Sequence, residues 1–259
     1  MVAGASSALM ASIAFDLGQW DAARSLAQSA TQYADIAGHT SLESWTWGLQ
    51  ATLANWRGDL PAALDAFDRG MLIAPAGAPR RRLRYIAART RSALGDPGGV
   101  MELLREGQLD REAADAVRDE MEHVVGGEFA FDDARATACA AAAWLEVKDG
   151  ERAESDARAA LQLYESLAEA DRPFSPVNGL QIDISAARAL RADIDGAHEA
   201  LAPVLQLEPS KRNAALTGQM EAVRKHLDAP KWRNATDARS LATEIAVWSA
   251  QGSAVLSAS

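Results

Sequence analysis

Small and apolar residues recur along this chain at helical spacing, and the turn signals between them recur too. In NWRGDLPAALDAFDRGMLIAP, residues 55–75, Gly58 is followed by Ala63, Phe67 and Gly70 at steps of five, nine and twelve, and Pro75 closes the run. Trp47 and Ala51 lie eleven and seven residues upstream. This spacing predicts two helices joined at Gly58. Small side chains at Ala51, Ala63 and Gly70 let the helices approach closely, and Phe67 fills the space between them. Pro75 ends the second helix because it has no backbone N–H to donate.

The same grid returns around four more turns. After Gly18 the small positions are Ala23, Ala27 and Ala30, with a helix from about Ser6 to Leu17 upstream. After Gly95 they are Val100, Leu104 and Gly107. After Lys148-Asp149-Gly150 they are Ala153, Ala157 and Ala160. After Ala192-Asp193 they are Ala197, Leu201 and Val204, and Pro209 closes that helix as Pro75 closes the earlier one. These helical hairpins resemble the tetratricopeptide repeat. The expected fold is all-α, a right-handed superhelical solenoid of tetratricopeptide-like hairpins, with residues 1–259 as a single domain of about five degenerate repeats. The turns near 18, 58, 95, 148 and 192 are spaced by 40, 37, 53 and 44 residues, all longer than the roughly 34 of the standard repeat.

The longest interval leaves room for an extra helix at about Asp110–Val125, stopped by Gly126-Gly127. Pro173 and Pro176 in RPFSPVNG predict a break without helix. LTGQMEAVRKHLDAP and TDARSLATEIAVWSA read as two amphipathic helices that cap the array over about 212–250, and the tail QGSAVLSAS is expected to fray.

Composition narrows the function classes. The net charge is −10, and an acidic chain repels phosphate, so direct nucleic-acid binding is not expected. The run Arg80–Arg84 is a local exception, read either as a solvated helix start or as a contact for an anionic partner. The first fifteen residues carry no charge, but no Lys or Arg precedes Arg24, so the basic segment of a signal peptide is missing. That stretch is also too short to span a bilayer. The lone Cys139 cannot form an intramolecular disulfide, which suits a reducing, cytoplasmic setting and a buried thiol.

No enzymatic constellation emerges. His39, His123, His198 and His226 are scattered, His198-Glu199 is not completed to a helical zinc pattern, and no phosphate-binding loop occurs. No metal, cofactor or catalytic residue is expected. What stacked hairpins do is bind along a curved face. By resemblance to tetratricopeptide proteins, that face would be lined by Trp45, Thr52 and Asn55, by Arg82, Tyr85 and Arg89, and by Arg135. Arg82, Tyr85 and Arg89 are three and four residues apart and share one helix face. Two readings of them stand. Two guanidinium groups beside a ring could hold a carboxylate such as a peptide C-terminus, with Asn55 on a peptide amide. Alternatively the arginines make surface ion pairs and Tyr85 is core. Trp20, Trp56 and Trp144 read as packing anchors.

AFDLGQWDAARSLAQSATQYADIAGH (14–39), LRADIDGAHEALAPVLQLEPSKR (190–212) and ARSLATEIAVW (238–248) resemble the repeat region of actinobacterial helix-turn-helix transcriptional regulators of the XRE type. In those proteins an N-terminal DNA-binding domain precedes tetratricopeptide-like repeats, which sense a small ligand or peptide and mediate dimerisation. This chain opens inside the array, so DNA binding is not carried over to it. The resemblance implies a peptide or protein partner or a small signal molecule, a homodimer, and a role as the sensing or dimerising part of a regulator. The alternative is a stand-alone scaffold joining proteins.

Overall fold

Alanine-rich segments with few β-branched residues favour helix, and helix is what forms. The computed structural model describes residues 1–114, 119–121 and 125–256. Among them there is no strand, and twelve α-helices pack largely in consecutive pairs. They are α1 (Val2–Asp16), α2 (Trp20–Ile36), α3 (Thr40–Trp56), α4 (Leu60–Ile73), α5 (Ala78–Ala93) and α6 (Pro97–Ala114), then α7 (Asp133–Glu146), α8 (Gly150–Glu165), α9 (Phe174–Leu190), α10 (Ile194–Leu205), α11 (Ala214–Leu227) and α12 (Thr236–Leu256). The chain divides into two compact units, Met1–Val147 and Lys148–Ser259.

The five expected turns share one backbone device. Gly18, Gly58, Gly95, Lys148 and Ala192 all have positive φ, between 63° and 73°. A left-handed residue at a helix end turns the next N–H back onto a carbonyl of the last turn. Asp59 N donates to Ala54 O at 2.9 Å, Asp96 N to Arg91 O at 3.0 Å, and Asp193 N to Arg188 O at 3.0 Å. The aspartate at that position then caps the following helix. The Asp59, Asp96, Asp149 and Asp193 carboxylates accept from the N–H three residues on, at 2.8–3.2 Å. Gly38 repeats the device between α2 and α3, with His39 Nδ1 accepting from Leu42 N at 3.1 Å. The spacing had not pointed to that turn.

In the first unit the alanine stripes of α1 and α2 lie against Leu42, Trp45, Leu49 and Leu53 of α3. The second unit is built on larger side chains, with Leu201, Leu216, Met220, Leu227, Leu241 and Ile245 fully buried among α10, α11 and α12. The small grid positions Ala23, Ala27, Ala30, Ala63, Ala153, Ala157, Ala160 and Ala197 are all sealed from solvent. Helices approach each other there because nothing larger than a methyl stands between them.

Three expectations need correction. Residues 110–114 extend α6 instead of opening a new helix, and most of 115–125 lies outside the described residues. Pro176 is helical, at the third position of α9. A first-turn N–H has no intrahelical acceptor, so a proline there removes no bond. Residues 251–256 continue α12 instead of fraying, and a Cβ at Gly252 would rest 3.3 Å from Arg212; 257–259 lie outside the described residues.

Candidate functional site

The face expected to bind a partner lies where α3 meets α5 and α7 in the first unit. Arg82 Nη1 donates to Trp45 O at 2.8 Å, and its guanidinium lies 4.4 Å from the centre of the Trp45 ring. Gly48 makes this possible, because a Cβ there would collide with the guanidinium. Burial lowers Arg82 to about 10; Glu128 opposes that shift and Arg135 adds to it, and the group stays charged at neutral pH. Ser41, Ala78, Pro79, Phe129 and Phe131 close round this pair and leave a void of only about 10 Å³.

In the run Arg80–Arg84, Arg81 is buried and Arg80, Arg82 and Arg84 are half-buried, and all four are engaged within the unit. Arg80 Nε donates to Ala74 O at 3.0 Å, and the buried Arg81 pairs with Asp133 at 2.7 Å. Arg84 bridges Asp110, at 2.6 Å, and Glu106. Each arginine fastens α5 to a different part of the unit.

Tyr85 is core. Its hydroxyl accepts from Gln108 Nε2 at 2.9 Å, and its ring meets Phe131 edge-on at 5.8 Å. The ring beside Arg82 is therefore that of Trp45. Arg135 braces the entry to α7, with Nη1 donating to Glu128 O at 2.9 Å and Ala130 O at 3.0 Å. Thr52 Oγ1 donates to Gly48 O at 3.0 Å, within its own helix. Three of the expected residues carry a buried side-chain atom that finds no hydrogen-bond partner among the described residues: Trp45 Nε1, Asn55 Oδ1 and Arg89 Nε. Gly48 faces Arg82 and Ile86, so the next turns of that same contact carry Thr52 and Asn55 on α3 and Arg89 on α5.

At 3.6 residues per turn, Trp47, Gln50, Ala54 and Arg57 share the opposite face of α3. There α2, α3 and α4 border a solvent-open groove of about 280 Å³ that the spacing does not point to. Trp20 and Arg24 enter it from α2, one helical turn apart, and Asp59 and Asp65 from the α4 side. Trp20 is held by stacking on Trp56, with centroids 6.1 Å apart, while Phe15 meets both rings edge-on. The tryptophans at 20 and 56 thus pack on each other yet stay partly exposed, whereas Trp144 is buried. Gln50 is tied to Thr31 Oγ1 at 2.7 Å. Asp59 caps α4, and Asp65 pairs with Arg69 at 2.8 Å. No hydrogen bond or ion pair reaches the guanidinium of Arg24 or Arg57 among the described residues.

Among the described residues no three His, Cys, Asp or Glu side chains converge as metal ligands, and Cys139 is half-buried on α7. No described helix is long and apolar enough to cross a membrane. No family model, no curated protein and no solved structure matches the chain.

Proposed function

We propose that this chain is a peptide-binding helical-repeat module of the right-handed tetratricopeptide-like kind, serving as the signal-sensing or dimerising part of a cytoplasmic transcriptional regulator. The observation that supports the binding role is the run of unsatisfied polar atoms along α3 and α5, of which Asn55 Oδ1 and Arg89 Nε lie beyond the filled Trp45–Arg82 end. A buried polar group without a partner costs about 1–3 kcal/mol. A peptide amide donating to Asn55 and a carboxylate accepting from Arg89 would recover that cost. Arg82 contributes by fixing the neighbouring turn against Trp45 and is not itself the peptide ligand. The regulatory role rests on the resemblance of segments 14–39, 190–212 and 238–248 alone.

The test is fluorescence anisotropy with labelled hexapeptides that end in a free acidic C-terminus. Asn55→Ala and Arg89→Ala are each expected to weaken binding about tenfold, the effect of one charge-assisted or backbone hydrogen bond. Arg105→Ala, at an exposed site on α6, should leave it unchanged. Wild-type protein that binds none of the peptides, or an Arg89→Ala variant with full affinity, refutes the reading.

One observation favours the second reading, a scaffold that joins proteins. Val2, Leu9, Met10 and Ile13 of α1 and its C-cap Leu17 are exposed, on a helix without charge before Asp16. Sedimentation of Ile13→Lys tests that face: an assembly of the wild type that is lost in the variant supports a protein contact on α1, and an unchanged sedimentation coefficient removes it.

A further inference from the structure

Both units contain the same three-helix arrangement, and one pair of positions differs in the sign of its charge. α2, α3 and α4 in the first unit correspond to α8, α9 and α10 in the second. The caps fix the register. α2 starts two residues after the left-handed Gly18, and α8 two residues after the left-handed Lys148. α3 and α9 each span 17 residues and end on an arginine C-cap, Arg57 and Arg191. Left-handed Gly58 and Ala192 follow, and then the capping Asp59 and Asp193. In this register Arg24 stands where the second unit has Glu154, Arg57 where it has Arg191, Ala54 where it has Arg188, and Gln28 where it has Arg158.

In the second unit a carboxylate occupies the groove. Glu154 accepts from Arg191 at 2.8 Å, Arg188 at 2.9 Å and Arg158 at 3.0 Å, and its side chain is 12% exposed. The groove between α8, α9 and α10 therefore has its cations already paired. In the first unit that carboxylate is replaced by a second guanidinium. Arg24 and Arg57 are both exposed and both line this one groove, and neither guanidinium has a partner among the described residues, whereas the corresponding Arg191 is paired with Glu154. Two like charges lining one open groove repel each other, weakly where water screens them, and an anion between them turns that repulsion into attraction. The acidic groups on the α4 side do not fill that role, since Asp65 is held by Arg69 and Asp59 by the Ala62 N–H.

We propose that the groove between α2, α3 and α4 binds a small organic carboxylate. Its anionic group takes the position that the Glu154 side chain fills in the second unit, bridging Arg24 and Arg57. Its flat apolar body lies against the Trp20 and Trp47 indoles. Guanidinium forks match a carboxylate in geometry as well as charge. Aromatic walls with a few polar groups are how small-ligand pockets are made, and a volume of about 280 Å³ suits an acid of one or two rings. The site lies on the face of α3 opposite Asn55, so it stands or falls apart from the peptide reading.

The experiment is isothermal titration of the full chain with benzoate and indole-3-carboxylate, with benzamide as the neutral counterpart of benzoate. At least one acid should bind at millimolar concentration or below, and benzamide at least about tenfold more weakly than benzoate, a difference of about 1.4 kcal/mol. Arg24→Glu, which rebuilds the Glu–Arg arrangement of the second unit, should abolish acid binding while circular dichroism keeps its helical signal. Arg57→Gln should weaken binding at least about tenfold, and Arg191→Gln should leave it unchanged. Three outcomes each overturn the proposal: no acid binds, acid and amide bind alike, or Arg24→Glu binds as well as wild type.

Discussion

At the scale of single residues, burial holds His226 below the ordinary histidine range, and the positive charges of Lys231 and Lys148 push the same way, while a hydrogen bond with the Ala189 backbone partly offsets them. The folded protein resists a proton that the unfolded chain accepts near pH 6.5. More protons are then bound in the unfolded state, so stability rises with pH through that window and falls on acidification. Urea midpoints should drop between about pH 7 and pH 5 in wild type. The drop should be smaller in His226→Phe, which keeps a ring against Trp232. A variant with the same slope as wild type removes His226 from the response. Gly48→Ala tests the Arg82 contact: the added methyl displaces the guanidinium from Trp45 and crowds Ile86. The expected cost is about 1–3 kcal/mol, read as a lower urea midpoint. The shared face of Arg82, Tyr85 and Arg89 follows from helical spacing, but the partner of each arginine does not. Asp133 lies 52 residues from Arg81 and Asp110 lies 26 from Arg84, and no periodicity within one helix reveals such a pair.

At the scale of helices and turns, Ala192 occupies a left-handed turn, φ 66°, where four sister turns have glycine. Ala192→Gly should relieve backbone strain, with a net gain of up to about 1 kcal/mol after the larger entropy of the unfolded chain is set against it. An unchanged or lower thermal midpoint contradicts this. Glu154 fastens α8 to α9. Burial alone would raise its carboxyl, but the hydrogen bonds and charges of Arg188 and Arg158 outweigh it and hold it below the usual range. Its contribution is present above about pH 4.3, the unfolded value, and is lost as pH falls through the lowered folded value. Glu154→Gln should lower the neutral-pH midpoint and flatten that part of the acid limb. Four of the five expected turns carry an Asp cap directly after the left-handed residue, which is glycine at 58 and 95, and the Gly18 turn was legible from the alanine spacing after it. The Gly38 turn escaped because a histidine caps it. Asp110 resembled a helix start, yet its carboxylate is taken by Arg84, and α6 runs through it.

At the scale of the molecule, two units use one turn-and-cap plan and both seal alanine positions between helices, and the second adds fully buried Leu, Ile and Met on α10, α11 and α12. The expected binding face came from resemblance to tetratricopeptide proteins, and its Trp45–Arg82 end is filled by the protein itself. The opposite groove has no motif of its own. Its signal is the exchange of Glu154 for Arg24 between equivalent positions, which becomes visible only once the turns are aligned. The claim that these positions are equivalent has a direct test, the thermal midpoint of ligand-free Arg24→Glu. If residue 24 sits beside Arg57 as Glu154 sits beside Arg191, the substitution removes a like-charge contact and adds an ion pair. The midpoint should rise by about 2–4 °C, the equivalent of about 1 kcal/mol for a chain of this size, and the rise should vanish in an Arg57→Gln background. A midpoint that falls, or a rise that persists without Arg57, contradicts the account.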